Sequence, residues 1–188
     1  MEKDKKAALL LIDIQKGFED TEYWGGNRNN PDAELNASKL LSLWRKMGMP
    51  VYIIKHCSVN TGSPLAKGKP GNELADMIRP LEGELVIEKN VNSAFIGTDL
   101  YDILKKNNIE KVVIAGFTTN HCISTTARMS GNLGFKTFVV TDACVSFDTT
   151  GYDGKKYSAE VIHDISLASL NREFAVIIST EEILKTFK

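Results

Sequence analysis

Cysteine is scarce. The three residues, an odd number with no Cys-x-x-Cys pair, argue against a disulfide framework and for a reducing compartment. An excess of one charge is missing too: 23 Lys and Arg stand against 24 Asp and Glu, interspersed along the chain. The short basic clusters, Lys3-Asp4-Lys5-Lys6 and the Lys67/Lys69 loop, are too small for a nucleic-acid surface, so no nucleic-acid partner is expected. No apolar run approaches the roughly 18 residues of a bilayer span. The charged N-terminus leads straight into a strand-like run and reads as neither signal nor transit peptide. No membrane partner and a cytoplasmic location are expected. No GxGxxG follows the first strand-like run and no GxxxxGK[ST] occurs, so neither a dinucleotide nor a P-loop site is indicated. Repeats, low-complexity tracts and linkers are also missing, and residues 1–188 are most simply a single domain.

What is present is an alternation of strand-like and helix-like segments. Residues 7–14 form a continuous apolar run of the kind a strand buried on both faces requires. Further strands are predicted over 51–54, 85–89, 111–115, 136–141 and 175–179. Helical spacing over 35–47 puts Leu40, Leu43, Trp44 and Met47 on one side, and Gly48 stops it. Helices are also predicted over 98–106, 122–133 and 158–170, with a terminal one starting at Thr180 as N-cap. Six short strands separated mostly by helices give an α/β fold with a mostly parallel sheet and helices on both faces. The polar loop over 56–71 and the segment 142–157 are longer than usual connections. Both follow strand C-termini, the edge where open α/β sheets place their ligand sites.

Three polar residues sit at or near strand ends: Asp13 after the first, Lys89 closing the third, and Cys122 beyond the fourth. Each has an ordinary alternative. An Asp after a strand is commonly a turn or cap residue, a Lys at a strand end is commonly solvated, and a free Cys is commonly buried packing. Together they make chemical sense. A thiol on a strand-to-helix turn lies near unpaired N–H groups and the positive end of a helix dipole, which favour a thiolate. A carboxylate can carry its proton to and from a leaving group, and a positive charge keeps both partners ionised. If the first strand is central with the second and fourth beside it, Asp13 and Cys122 end about 5 Å apart, and Lys89 starts roughly 10 Å from Asp13.

Three blocks carry a resemblance: Asp-Ile-Gln-Lys-Gly-Phe over 13–18, Glu-Lys-Asn-Val-Asn-Ser-Ala-Phe over 88–95, and Gly-Phe-Thr-Thr-Asn-His-Cys-Ile-Ser-Thr-Thr-Ala-Arg over 116–128. In combination and order they resemble the signature blocks of the isochorismatase-like cysteine hydrolases, a superfamily that includes nicotinamidases, carbamoylsarcosine amidase and streptothricin hydrolase. Gly-Ser-Pro-Leu at 62–65, Asp-Ala-Cys at 142–144 and His-Asp-Ile-Ser-Leu-Ala-Ser-Leu at 163–170 extend it over almost the whole chain. The stretch Trp-Gly-Gly-Asn-Arg-Asn-Asn-Pro near the start and Asn-Leu-Gly-Phe after Arg-Met-Ser-Gly look closest to the streptothricin-hydrolase-like branch. The resemblance implies a three-layer αβα sandwich with strand order 3-2-1-4-5-6 and an Asp13–Lys89–Cys122 triad. It implies a non-proline cis peptide at Phe117–Thr118, with the Thr118 and Cys122 amides forming an oxyanion hole. It also implies a homo-oligomer, dimer or tetramer, in which a neighbouring subunit often contributes to the pocket.

Two departures narrow the expectation. Nicotinamidases carry an Asp-x-His and a further His after the second strand, whereas this chain reads Ile-Lys-His-Cys-Ser over 54–58, with no second histidine before His121. No metal site of that kind, and no cofactor, is expected. Siderophore-pathway isochorismatases generally lack the nucleophile cysteine, so Cys122 favours cleavage of a C–N bond in a small amide through an acyl thioester. The alternatives are vinyl-ether hydrolysis of the isochorismate type, with Cys122 a bystander, and a binding protein that has kept the fold. Phe18, Trp24, Phe95, Asn120, His121 and Phe147 fall in segments expected to rim the pocket as substrate contacts, though an aromatic there serves equally as core. His56 and His121 read as pocket wall or structural hydrogen bond, and His163 as a satisfied core histidine.

Overall fold

A computed structural model describes residues 6–187; most of the Lys3–Lys6 cluster lies outside them. The strands are β1 (Ala7–Ile12), β2 (Val51–His56), β3 (Leu85–Lys89), β4 (Lys111–Phe117), β5 (Lys136–Val145), β6 (Thr149–Thr150), β7 (Lys156–Tyr157) and β8 (Val176–Ile178). The main sheet has six strands in the order β3-β2-β1-β4-β5-β8, and each of its pairings is parallel. The expected sixth strand is the eighth in chain order, because the two-residue strands β6 and β7 pair as a separate antiparallel ribbon inside the long 142–157 segment.

Helices are α1 (Thr21–Trp24), α2 (Ala33–Met47), α3 (Leu100–Lys106), α4 (Ser124–Asn132), α5 (Ala159–Leu170) and α6 (Thr180–Thr186). Two apolar clusters, one on each face of the sheet, complete the three layers. Leu9, Leu11, Ile53 and Val113 join Leu40, Leu41 and Trp44 of α2 on one side. Leu10, Ile12, Ile54 and Ile114 join Leu100, Leu104, Ala127 and Leu170 on the other. The continuous apolar run of β1 is thus buried on both faces, as a central parallel strand requires. Each such aliphatic side chain contributes about 1.5–3 kcal/mol of burial.

β5 runs four residues beyond its expected end. The register with β4 shifts between Ile114 and Gly116, so Ile114 pairs with Val139 while Gly116 pairs with Cys144. The bulged carbonyls of Thr141 and Cys144 accept from Asn30 Nδ2 at 2.9 and 2.8 Å, which satisfies groups the ladder leaves out. Gly116 has φ +136°, and a Cβ there would lie 1.9 Å from Ile12 O, so only glycine lets β4 pass β1 at this point.

Candidate active site

The strand order reverses at β1, and the chemistry collects there. Asp13 is the first residue beyond β1. Its N–H donates to Ile54 O at 2.9 Å, and its φ of 56° is a left-handed conformation that aspartate tolerates better than most residues. Lys89 closes β3 opposite His56 of β2. Its stem crosses the width of β2, as the strand spacing anticipated, and brings Nζ to 2.6 Å from Asp13 Oδ2. Both side chains are buried, and Asp13 is 0% exposed. From the same position Nζ donates to Cys122 Sγ at 3.4 Å and to Val91 O at 3.2 Å, and lies 3.2 Å from His56 Nδ1.

Cys122 occupies a π-helical turn, Thr119–Ile123, that follows the cis Phe117–Thr118 peptide and leads into α4. The expected helix over 122–133 therefore begins as a wider turn, and α4 proper starts at Ser124. Burial, reinforced by the Asp13 charge, pushes the Cys122 thiol well above its ordinary pKa, with Lys89 opposing. Burial and the Asp13 charge thus work against the thiolate that a helix end favours, and Lys89 works for it. Burial also raises the Asp13 carboxyl, again opposed by the Lys89 ammonium. Asp13 Oδ2 is committed to Lys89, whereas Oδ1 is buried with no hydrogen-bond partner among the described residues. The carboxylate thus keeps one free set of lone pairs beside the thiol.

Asp13 and Cys122 face a cavity of about 100 Å³. Of the expected contacts, Phe18, Trp24 and His121 line it, as does Thr118. Phe18 and Trp24 stack at 4.5 Å, and Trp24 Nε1 donates to Gly17 O at 2.8 Å, which fixes this wall. Trp24 and His121 also line a wider outer hollow of about 420 Å³, bounded by Glu22, Asp148 and Lys156. The remaining expected contacts lie elsewhere. Phe147 stacks behind Phe18 at 6.1 Å and backs the wall. Asn120 is engaged with Ser146 and His121. Phe95 stacks on Phe135 at 6.1 Å within the apolar cluster that also holds Leu100, Leu104 and Ala127.

Three residues not among the expected contacts line the cavity. Asn92 Oδ1 lies 3.8 Å from Cys122 Sγ and accepts from the thiol. Leu65 is delivered by the loop after β2. His56, read from sequence as wall or structural group, faces the cavity beside Asp13. The loop that carries Leu65 is held by Asn72, whose Nδ2 donates to His56 O and Leu65 O at 2.8 Å each. His163 is the satisfied core histidine expected: Nδ1 pairs with Thr119 Oγ1 at 2.9 Å and Nε2 with Thr141 Oγ1 at 3.2 Å. Cys144 is fully buried with its thiol pushed up to about 12 by burial, and Cys57 is half-buried.

Asp13, His56 and Cys122 offer donor atoms within 4.8 Å of one another, a set that would suit a borderline metal ion. The Lys89 ammonium lies against all three, at 2.6, 3.2 and 3.4 Å. A cation already occupies the centre of the donor set, so these residues do not fit a metal ion while Lys89 is in place.

A parallel sheet with a buried carboxylate, ammonium and thiol at its switch point defines an α/β protein of hydrolase type, and the comparisons place it further. The family model described as the isochorismatase domain matches residues 7–182, and the chain belongs to the isochorismatase family of hydrolases. It is 45% identical over 184 residues to YrdC, an uncharacterised isochorismatase-family protein of Bacillus subtilis, covering 98% of this chain and 97% of that one. It is 27% identical over 198 residues to Nicotinamidase 3 of Arabidopsis thaliana, covering 97% and 89%. A crystal structure of an isochorismatase-family protein from Chromobacterium violaceum superposes with a TM-score of 0.93 at 40% identity, covering 98% and 94%.

Proposed function

We propose that this protein is a cysteine amidohydrolase that cleaves the C–N bond of a small amide, with Asp13, Lys89 and Cys122 as its triad. The observation that carries the reading is the unpartnered Asp13 Oδ1, buried beside the Cys122 thiol while Lys89 anchors the other carboxylate oxygen. Asp13 takes the S–H proton as sulfur attacks the amide carbon. The carbonyl electron pair moves to oxygen, and the Thr118 and Cys122 amides hold the oxyanion. Collapse of the tetrahedral species breaks the C–N bond, and the proton on Asp13 goes to the departing nitrogen. The acyl thioester is then attacked by water, which gives its proton to Asp13. The second collapse releases the acid, and the proton returns to sulfur. Lys89 stabilises the negative charge as it moves between carboxylate and thiolate. The likeness to a nicotinamidase supports an amide as the bond cleaved.

The test is a screen of small amides with ammonia detection, repeated on variants. Cys122→Ala abolishes turnover and leaves the protein folded, since the site loses little volume. Cys57→Ala and Cys144→Ala keep most of the activity. Substantial turnover by a folded Cys122→Ala protein would rule out the thioester and favour direct attack by water.

A further inference from the structure

The reaction above gives no part to His56, yet the structure commits unusual resources to it. Its N–H donates to Gln15 Oε1 at 2.8 Å, and its carbonyl accepts from Gln15 Nε2 at 3.0 Å and from Asn72 Nδ2 at 2.8 Å. Gln15 and Asn72 are themselves 2% and 4% exposed, so two buried carboxamides grip a single residue's backbone. The ring is fixed as well. Nδ1 lies 3.2 Å from Lys89 Nζ, which shares its three hydrogens among Asp13, Cys122, Val91 and this ring; an ammonium has no acceptor, so a hydrogen on Nδ1 would point into it and Nδ1 is the unprotonated nitrogen. An imidazole that accepts at Nδ1 carries its proton on Nε2. Burial, followed by the Lys89 charge, pushes the His56 pKa down to about 4, so the ring stays neutral around pH 7. On the cavity wall it therefore offers an N–H donor and supplies no positive charge.

The rest of the cavity is short of positive charge too. Asp13 is the charged residue lining it, and Lys89 neutralises Asp13 from behind. The outer hollow adds Glu22 and Asp148 against Lys156, which does not reverse the balance. A carboxylate on the acyl part of a substrate would lose its hydration beside Asp13 and gain no free counter-charge.

We infer that His56 contacts the substrate, donating its Nε2–H to an acceptor on the acyl half, and that the site takes uncharged acyl groups and rejects carboxylate-bearing ones. This rests on the amidase reading for the words acyl half. The hydrogen-bond assignment and the charge selection do not.

Nitrogen-15 NMR of histidine-labelled wild-type protein reads the tautomer directly. The expected result is a neutral His56 protonated on Nε2 that does not titrate between pH 5 and 8. Protonation on Nδ1, or titration within that range, would overturn the assignment. Alkylation of Cys122 by neutral iodoacetamide and anionic iodoacetate reads the charge selection. It is followed on the Cys122 peptide by mass spectrometry, with both reagents at one pH so that the thiolate fraction cancels in the ratio. Relative to free cysteine, the expected preference for iodoacetamide is about tenfold or more, and a preference below about threefold, or a factor in between that an Asn92→Lys variant fails to lower, overturns it. His56→Leu should slow the iodoacetamide reaction by about fivefold or more, and His56→Gln, which keeps an N–H near the Nε2 position, should recover at least half the loss. Equal rates for the two variants overturn the donor role. None of these readouts needs turnover. Retained activity in Cys122→Ala would remove the amidase reading and leave them standing, whereas a charged or Nδ1-protonated His56 would remove the inference and leave the amidase reading intact.

Discussion

Lys89 joins groups that would otherwise oppose one another. Asp13 and Cys122 each lose hydration in the turn, and each has its pKa lowered by the ammonium between them against the larger effect of burial. Lys89→Met keeps much of the apolar stem and removes the charge. Both acids then rise further, and iodoacetamide alkylation of Cys122 at pH 7 slows, recovering towards the wild-type rate as pH increases. An unchanged rate and pH profile in the folded variant would remove Lys89 from the site. Stability carries the same signature. With Lys89 gone, folded Asp13 holds a proton that the unfolded chain gives up above about pH 4, so the variant loses stability as pH rises towards neutrality, by up to about 1.4 kcal/mol per pH unit. The double variant Asp13→Asn/Lys89→Met has no such slope in urea unfolding, because neither partner is left charged. Lys89 also carries the expectation about metals. With its ammonium at the centre of the Asp13, His56 and Cys122 donors, dialysis against EDTA leaves turnover unchanged. Activity lost on dialysis and restored by zinc or manganese would show that Lys89 yields its place.

The elements position these residues through a few close approaches. Gly116 is the tightest of them, where β4 passes β1 shortly before the turn that carries Cys122. Gly116→Ala must push a methyl group into Ile12 O at a φ that L-residues avoid, and costs about 3 kcal/mol or more. A urea midpoint equal to wild type would contradict that contact. The strands and most helices were legible because apolar runs and helical spacing mark them directly. Asp13 and Lys89 stood out because each interrupts or ends such a run, and Cys122 because it follows one on the turn into a helix. The π turn over Thr119–Ile123 was not legible, since Thr-Thr-Asn-His before Cys122 carries no periodicity. Phe95 and Phe18 look alike in sequence, and only the folded chain shows that one packs into the core while the other faces the cavity. Asn92 gave no signal beyond its place in a matched block. The role of His56 depends on a lysine 33 residues away reaching its Nδ1, which no local pattern encodes.

At the scale of the whole molecule, the fold is assembled from distant pieces of chain. Among the described residues, no helix is long and apolar enough to cross a membrane. Every neighbour in the main sheet is parallel, so each pairing waits for a crossover to be completed. Sheets of this kind fold slowly for their size, because long loops must close before their contacts reward them. Activity regained on dilution from urea should appear with the slowest folding phase, and activity preceding that phase would mean the site forms without its sheet. The central place of β1 also sets an order in time during synthesis. The Lys89–Asp13 pair spans 76 residues and can close once β3 has left the ribosome, whereas the thiol follows 33 residues behind. At roughly 5–20 residues per second Cys122 emerges about 2–7 s after Lys89. The newborn enzyme has no reactive sulfur there to misdirect, and the free edge of β1 awaits β4, which brings the thiol with it.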